Sequence, residues 1–315
     1  MIISASRRTD IPAFYSSWFM NRVRAGFLLT RNPFNAHQIK RVSLESKDVE
    51  AIVFWSKNPE KLIPHLKELD SENYNYYFQY TITGYPKSLE KSVPNPYKSI
   101  AIFQNLSDLI GPEKVIWRYD PILLSNLVNV DEHRRIFTKI ANELRHKTKI
   151  VIISFADIYQ KTERNLKKIN DLQYKDILTH PTELYQLVES LVDVAQSNDM
   201  EILSCAEKMD LSQLGVNHGK CIDDILLNRL FGLAVGSRKD SGQRNECGCV
   251  KSIDIGQYNT CPHQCSYCYA TYNHELVTRN MKLHDPQSPF LIWSTEGVDP
   301  ELLKPSASQL SFFDS

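Results

Sequence analysis

The sequence predicts an α/β protein, a parallel (β/α) barrel or partial TIM-like barrel that closes on a cysteine-rich C-terminal region. Three observations predict it. Short runs of β character alternate with stretches of helical period along most of the chain. The strand runs are nearly all apolar, as strands covered on both faces by crossover helices must be, and this implies parallel pairing. All seven cysteines fall between Cys205 and Cys268, leaving the first two thirds of the chain without one.

The predicted strands are Ile2 to Ser4, Ala51 to Trp55, Tyr76 to Ile82, Lys114 to Arg118, Ile150 to Phe155 and Glu201 to Ser204. Helical stretches separate them: Ile11 to Ala25, Pro59 to Leu69, Lys98 to Leu109, Asp131 to Leu144, Lys161 to Asn170 and Pro181 to Ser197. Asn129 or Asp131 in "VNVDEHRR" starts one helix, and Pro181 in "THPTELYQ" sits in the first turn of another. Gly26 to Arg31 and Gln38 to Leu44 form an additional hairpin before the second main strand. The expected organisation is a barrel core over 1–210, a cysteine-rich region over 211–300 packed on the barrel mouth, and a tail over 301–315.

Thirty-seven basic residues balance thirty-seven acidic ones, so no strong overall field draws the molecule to nucleic acid or an anionic membrane. The longest apolar runs, such as "KIVIISFADI", are too short to span a bilayer. "MIISASRRTD" lacks the basic, apolar and small-residue order of a signal peptide. A cytoplasmic protein with no membrane partner is expected. There, seven cysteines point to metal rather than to a disulfide framework.

In parallel barrels the C-terminal ends of the strands converge on one open mouth, where chemistry gathers. Those ends are polar here. "SASRRTD" supplies Arg7, Arg8 and Asp10, "FWSKNP" supplies Ser56, Lys57 and Asn58, and "FQYTITGYP" supplies Gln79, Thr81 and Thr83. "WRYDP" gives Arg118 and Asp120, "ISFADIY" gives Ser154 and Asp157, and "LSCAEK" gives Cys205 and Glu207. Any one of them also serves as a helix cap, a turn former or an ion-pair partner. Together they locate a pocket without naming a reaction.

"TCPHQCSYCYA" places Cys261, Cys265 and Cys268 at spacings of four and three. Zinc is one reading, but zinc ribbons offer two pairs of ligands, and this compact triplet needs an outside fourth. His263 is an awkward fourth ligand beside Pro262. An iron–sulfur cube suits three thiolates better, since each binds one iron and the fourth iron stays open for a substrate. The remaining Cys205, Cys221, Cys247 and Cys249 are the number that closes a second cube or a zinc site; Cys205 and Cys221 also read as buried small hydrophobes.

Cys261, Cys265, Tyr267 and Cys268 match the Cys-x-x-x-Cys-x-aromatic-Cys signature, and on them the chain resembles the radical S-adenosylmethionine superfamily. The resemblance implies a [4Fe-4S] cluster that reductively cleaves S-adenosyl-L-methionine to a 5′-deoxyadenosyl radical, fed by a reductant such as flavodoxin or ferredoxin. It implies that Tyr267 flanks the adenosyl group, with Ser154 and Asp157 as further cofactor-binding candidates. Arg7, Arg8, Asp10, Lys57, Arg118, Asp120 and Glu207 become candidates to hold cofactor and substrate. Most of that superfamily carries the triplet after the first strand, whereas here it follows the last inferred unit, so a permuted barrel is expected, with the cluster loop returning to the mouth. No Gly-Gly-Glu-like segment stands ready for the methionine amino group. The pattern "MIISASRRTDIP", "WSKNP", "YTITGYP", "WRYDPI" and "TCPHQCSYCYA" also resembles the family called domain of unknown function 1848, over most of the chain. That family supplies no substrate.

Two features bear on partners. Trp55 near Lys57, Tyr80 near Gln79 and Trp117 beside Arg118 could stack a base or an adenine, or be ordinary core aromatics. The tail segment "QLSFF", Gln309 to Phe313, resembles the linear motif by which bacterial DNA-processing enzymes engage the sliding clamp. With "WRYDPI" loosely similar to spore photoproduct lyase, these features make DNA repair or modification the special case. The expectation is thus a radical enzyme of unknown substrate. Its rivals are a zinc-stapled ligand- or nucleic-acid-binding module and a two-cluster electron carrier.

Overall fold

The computed structural model describes residues 1–32 and 35–304. Twelve strands are described: β1 (Ile2–Ala5), β2 (Phe27–Asn32), β3 (Asn35–Ser43), β4 (Ala51–Ser56), β5 (Tyr76–Thr81), β6 (Val115–Ile122), β7 (Leu124–Ser125), β8 (Ile150–Phe155), β9 (Tyr174–Lys175), β10 (Glu201–Cys205), β11 (Asn217–Gly219) and β12 (Ile253–Asp254). Eight of them form one sheet in the order β12-β1-β4-β5-β6-β8-β10-β11, and every pairing in it is parallel. Among the described residues no strand pairing joins the two edges, β11 and β12.

Helices α1 (Ile11–Phe14), α2 (Ser16–Arg24), α3 (Leu66–Ser71), α4 (Pro96–Ile110), α5 (Val130–Glu143), α6 (Gln160–Leu166) and α7 (Pro181–Ser197) make the crossovers. Side-chain caps set the starts of α4 and α5: Asn95 accepts from the Lys98 amide at 2.9 Å, and Asn129 from the Glu132 amide at 2.9 Å. Such caps contribute about 1 kcal/mol each by satisfying an otherwise orphaned amide. The predicted helix Ile11 to Ala25 breaks at Tyr15 into α1 and α2. The predicted Pro59 to Leu69 helix is instead two 3-10 turns, Pro59–Lys61 and Ile63–His65, before α3, and Pro64 lies inside the second of them. The hairpin stands as β2 paired antiparallel with β3.

Alternation along the strands sorts the apolar side chains onto two faces. Ile3, Ile52, Phe54, Phe78, Trp117, Val151 and Ile153 pack with the crossover helices. Ile2, Ala51, Val53, Tyr77, Ile116, Ile150 and Ile152 pack instead against the cysteine-rich region, through Ile222, Leu226, Leu227 and Val250. Helix α8 (Asp224–Phe231) carries two of those residues, and Cys221, Cys247 and Cys249 belong to the same buried cluster. At about 1.5–3 kcal/mol for each fully buried large apolar side chain, this second core anchors the segment against the sheet. The chain ends its described part with α9 (His274–Met281) and the 3-10 turn Pro300–Leu303. No helix among the described residues is long and apolar enough to cross a membrane. Gln309 to Phe313 lie outside the described residues.

Candidate functional site

The C-terminal ends of the parallel strands border a cavity of about 980 Å³. All seven cysteines line it, together with Arg7, Arg8, Asp10, Lys57, Arg118, Asp120, Ser154, Asp157 and Tyr267. Glu207 is outside the lining: its Oε1 accepts the Phe155 amide at 2.9 Å, and burial pushes its carboxyl up to about 7.

The late cysteine triplet reaches the mouth because β12 pairs with β1, Ile3 opposite Ile253 and Ser4 opposite Asp254. The chain then crosses the end of β1. Asp254 accepts from Ser6 Oγ at 2.6 Å and the Arg7 amide at 2.9 Å, tying the two ends together. Gly256 passes so close that a Cβ there would sit 2.1 Å from Ser6 Oγ, which only glycine avoids. Beyond it, Tyr15 donates to the Thr260 carbonyl at 2.5 Å, the Ser92 amide to the His263 carbonyl at 3.0 Å, and the Ser266 amide to the Leu89 carbonyl at 2.9 Å. These bonds hold Cys261, Cys265 and Cys268 over the cavity from three sides.

Asp10 caps α1 by accepting the Ala13 amide at 2.9 Å. It also accepts Ser56 Oγ at 2.8 Å and the Lys57 amide at 2.7 Å, and His263 Nε2 lies 2.7 Å from it. With its oxygens so engaged, Asp10 positions β4 and the triplet loop. His263 is therefore a strut within the triplet, a role that its spacing did not suggest.

Lys57 and Glu90 form a buried pair at 2.8 Å beside Cys265. Thr83 Oγ1 and the Tyr267 hydroxyl also donate to Glu90. Burial opposes charge on both partners, but mutual attraction outweighs it, so the lysine is raised and the carboxyl lowered. Burial pushes the Cys261 and Cys265 thiols up, while Lys57 opposes this at Cys265. Deprotonating these thiols as metal ligands would reverse the protonation that burial favours. Glu90 sits in the loop after β5, where "KSLEKS" gave no signal.

Arg118 donates through Nε to Asp120 at 2.9 Å and through Nη1 to Cys221 Sγ at 2.8 Å. Ser154 Oγ donates to Asp120, and Asp157 pairs with Arg244. The guanidiniums of Arg7 and Arg118 each lie 5.1 Å from the Trp55 ring centroid. Arg8 stands 5.2 Å from the Tyr258 ring. Cys205 and Cys221 sulfurs are 3.1 Å apart, and Cys249 Sγ accepts the Ile222 amide at 3.4 Å. The bond from Cys221 lowers the Cys205 thiol to about 7.

Arg7 Nη2, Thr9 Oγ1, Trp55 Nε1 and His263 Nδ1 are buried with no hydrogen-bond partner, and all four residues line the cavity. Among the described residues, no three His, Cys, Asp or Glu side chains are gathered about a point as ligands of one metal ion. A family model described as domain of unknown function (DUF1848) matches residues 2–270. No curated protein matches the chain.

Proposed function

We propose, from the premise that this chain belongs to the DUF1848 family, that it is a radical S-adenosylmethionine enzyme on a partial (β/α) barrel. The observation that carries the reading is the convergence of Cys261, Cys265 and Cys268 on the mouth of the parallel sheet, with Tyr267 among them. In space the triplet follows β12, the strand at one edge of the sheet. The superfamily's triplet follows its first strand, so on this reading the late position in sequence amounts to a permutation of that layout.

The residues present fit a [4Fe-4S] cluster. Three thiols on one loop supply three of the four ligands a cube takes, leaving one iron without a protein thiolate. Cluster ligands sit on separate irons, so they need not surround one point as zinc ligands do. Arg7 Nη2, Trp55 Nε1 and Thr9 Oγ1 lack protein acceptors, which suits a lining that faces electron-rich sulfur or a bound ligand. When bound, a cluster of this kind supplies the electron that cleaves S-adenosyl-L-methionine to a 5′-deoxyadenosyl radical.

The chain's own residues orient and shield. Lys57, charged and backed by Glu90, places a cation beside Cys265 and stabilises its thiolate. Tyr267, 9% exposed and bonded to Glu90, packs against Tyr85 and closes that wall against water. Trp55 and Tyr258, each with a guanidinium over the ring, offer flat faces to an adenosyl group or a base. The same faces support a nucleic-acid substrate as the special case. Protein reconstituted anaerobically and reduced with dithionite should release 5′-deoxyadenosine from S-adenosyl-L-methionine, and the Cys265→Ala variant should release none. Iron-loaded protein that forms no 5′-deoxyadenosine would place the chain among cluster-bearing electron carriers instead.

A further inference from the structure

We infer that Cys205 and Cys221 form a redox-active dithiol at the edge of the cavity, a reactive centre separate from the triplet that exchanges with small disulfides. Their sulfurs lie 3.1 Å apart. Thiolates on separate irons of one cube cannot stand so close, whereas a disulfide bond requires them to approach by only about 1 Å more. Both backbones are fixed. Cys205 ends β10, paired opposite Gly219 of β11, and β10 is held on its other side by β8. Cys221 follows Gly219 by two residues, and its carbonyl accepts the Tyr77 hydroxyl at 2.6 Å and Gln79 Nε2 at 2.9 Å, both from the buried strand β5. The fold therefore holds the two sulfurs in contact before any bond forms.

The two thiols differ as an attacking and a resolving cysteine must. Both border the cavity, but Cys205 is half-buried and Cys221 is 1% exposed, so an incoming molecule meets Cys205 first. The hydrogen bond between them lowers the Cys205 thiol to about 7 and holds the Cys221 thiol up. A thiol that titrates near ambient pH is the best placed to attack. Its thiolate attacks one sulfur of a low-molecular-weight disulfide, forming a mixed disulfide and releasing half of the reagent as a thiol. Cys221 then loses its proton to solvent and attacks Cys205 Sγ, which forms the Cys205–Cys221 bond and expels the second half as a thiol. The protein gives up two electrons and two protons, and the external disulfide takes up both. Arg118 Nη1, 2.8 Å from Cys221 Sγ, favours the resolving thiolate while its Nε stays with Asp120. Disulfides that form inside a reducing compartment are typically transient, and catalytic or redox-sensing.

The test reads the linkage itself and needs neither iron nor turnover. Full-length chain is treated anaerobically with bis(2-hydroxyethyl) disulfide, quenched in acid, alkylated and digested with trypsin. Cleavage after Lys208 and Lys220 puts the two cysteines on separate peptides, so a joined mass reports the bond. The Cys205–Cys221 pair should be several-fold enriched over the same treatment of chain unfolded in urea, where all seven cysteines compete, and dithiothreitol should release it. Cys221→Ser should stop at the mixed disulfide on Cys205. No enrichment over the unfolded chain, or Cys205 joined instead to Cys247 or Cys249, overturns the inference. The comparison of native with unfolded wild type decides even where the variant folds poorly.

Discussion

His263 Nε2 lies 2.7 Å from Asp10 Oδ2, both side chains nearly sealed from solvent, so a residue inside the cysteine triplet is fastened to the cap of α1. Asp10 thereby links α1, β4 and the triplet loop. Replacing it by Asn swaps an acceptor oxygen for a donor amide within a set of four donors. Asp10→Asn should cost about 3 kcal/mol in urea denaturation, since buried groups would be left unpaired. A midpoint shift equivalent to under about 0.5 kcal/mol would contradict the strut role.

Glu90 gathers Lys57, Thr83 and Tyr267. Glu90→Gln leaves an uncompensated buried ammonium and should destabilise the chain by about 3–5 kcal/mol. Lys57→Met with Glu90→Gln together should recover much of that loss. Double-mutant unfolding measurements check this, and additive losses would show that the two residues do not act as a pair.

Glu207 has its carboxyl raised to about 7 by burial, above the ordinary 4.5. The folded state then binds the extra proton between those values, so this contribution is fully present below about pH 4.5 and is lost as pH rises through 7. The difference is worth about 3 kcal/mol across that window. Glu207→Gln should flatten the pH dependence of stability between pH 5 and 8, measured by denaturation at each pH. An unchanged slope would remove Glu207 as its source.

Gly256→Ala should disturb the crossing over β1, because the new methyl meets Ser6 Oγ and Cβ within 2.6 Å. Overpacking of this sort costs about 1–3 kcal/mol. Reconstituted iron should fall with it, as the triplet loop begins only five residues on. Gly256→Ala with Ser6→Gly should restore the iron, and a failure to restore it would place the effect elsewhere.

The six central strands were legible from sequence because apolar runs covered on both faces carry their own signal, and Pro181–Ser197 was read to the residue because Pro181 marks its first turn. The edge strands β11 and β12 were not, being three and two residues long with no apolar run. Without β12 the route of the triplet to the mouth could be stated only as an expectation. At the site, polar strand ends identified most of the lining, but Asn58, Gln79, Thr83 and Glu207 lie outside it, their side chains bonded to the Glu60 amide, the Cys221 carbonyl, Glu90 and the Phe155 amide. Glu90, Asp254 and His263 stayed hidden, because their roles arise from partners 33 to 253 positions away that no local pattern encodes.

The proposed chemistry requires that three thiolates leave one iron open at the mouth of the sheet. Electron–nuclear double resonance on the reduced protein with S-adenosyl-L-methionine labelled with nitrogen-15 at the amino group tests it most directly. A nitrogen-15 hyperfine coupling strong enough to require direct bonding to a cluster iron is expected, lost in the Cys265→Ala variant. A reduced cluster that shows no such coupling at saturating S-adenosyl-L-methionine would contradict it.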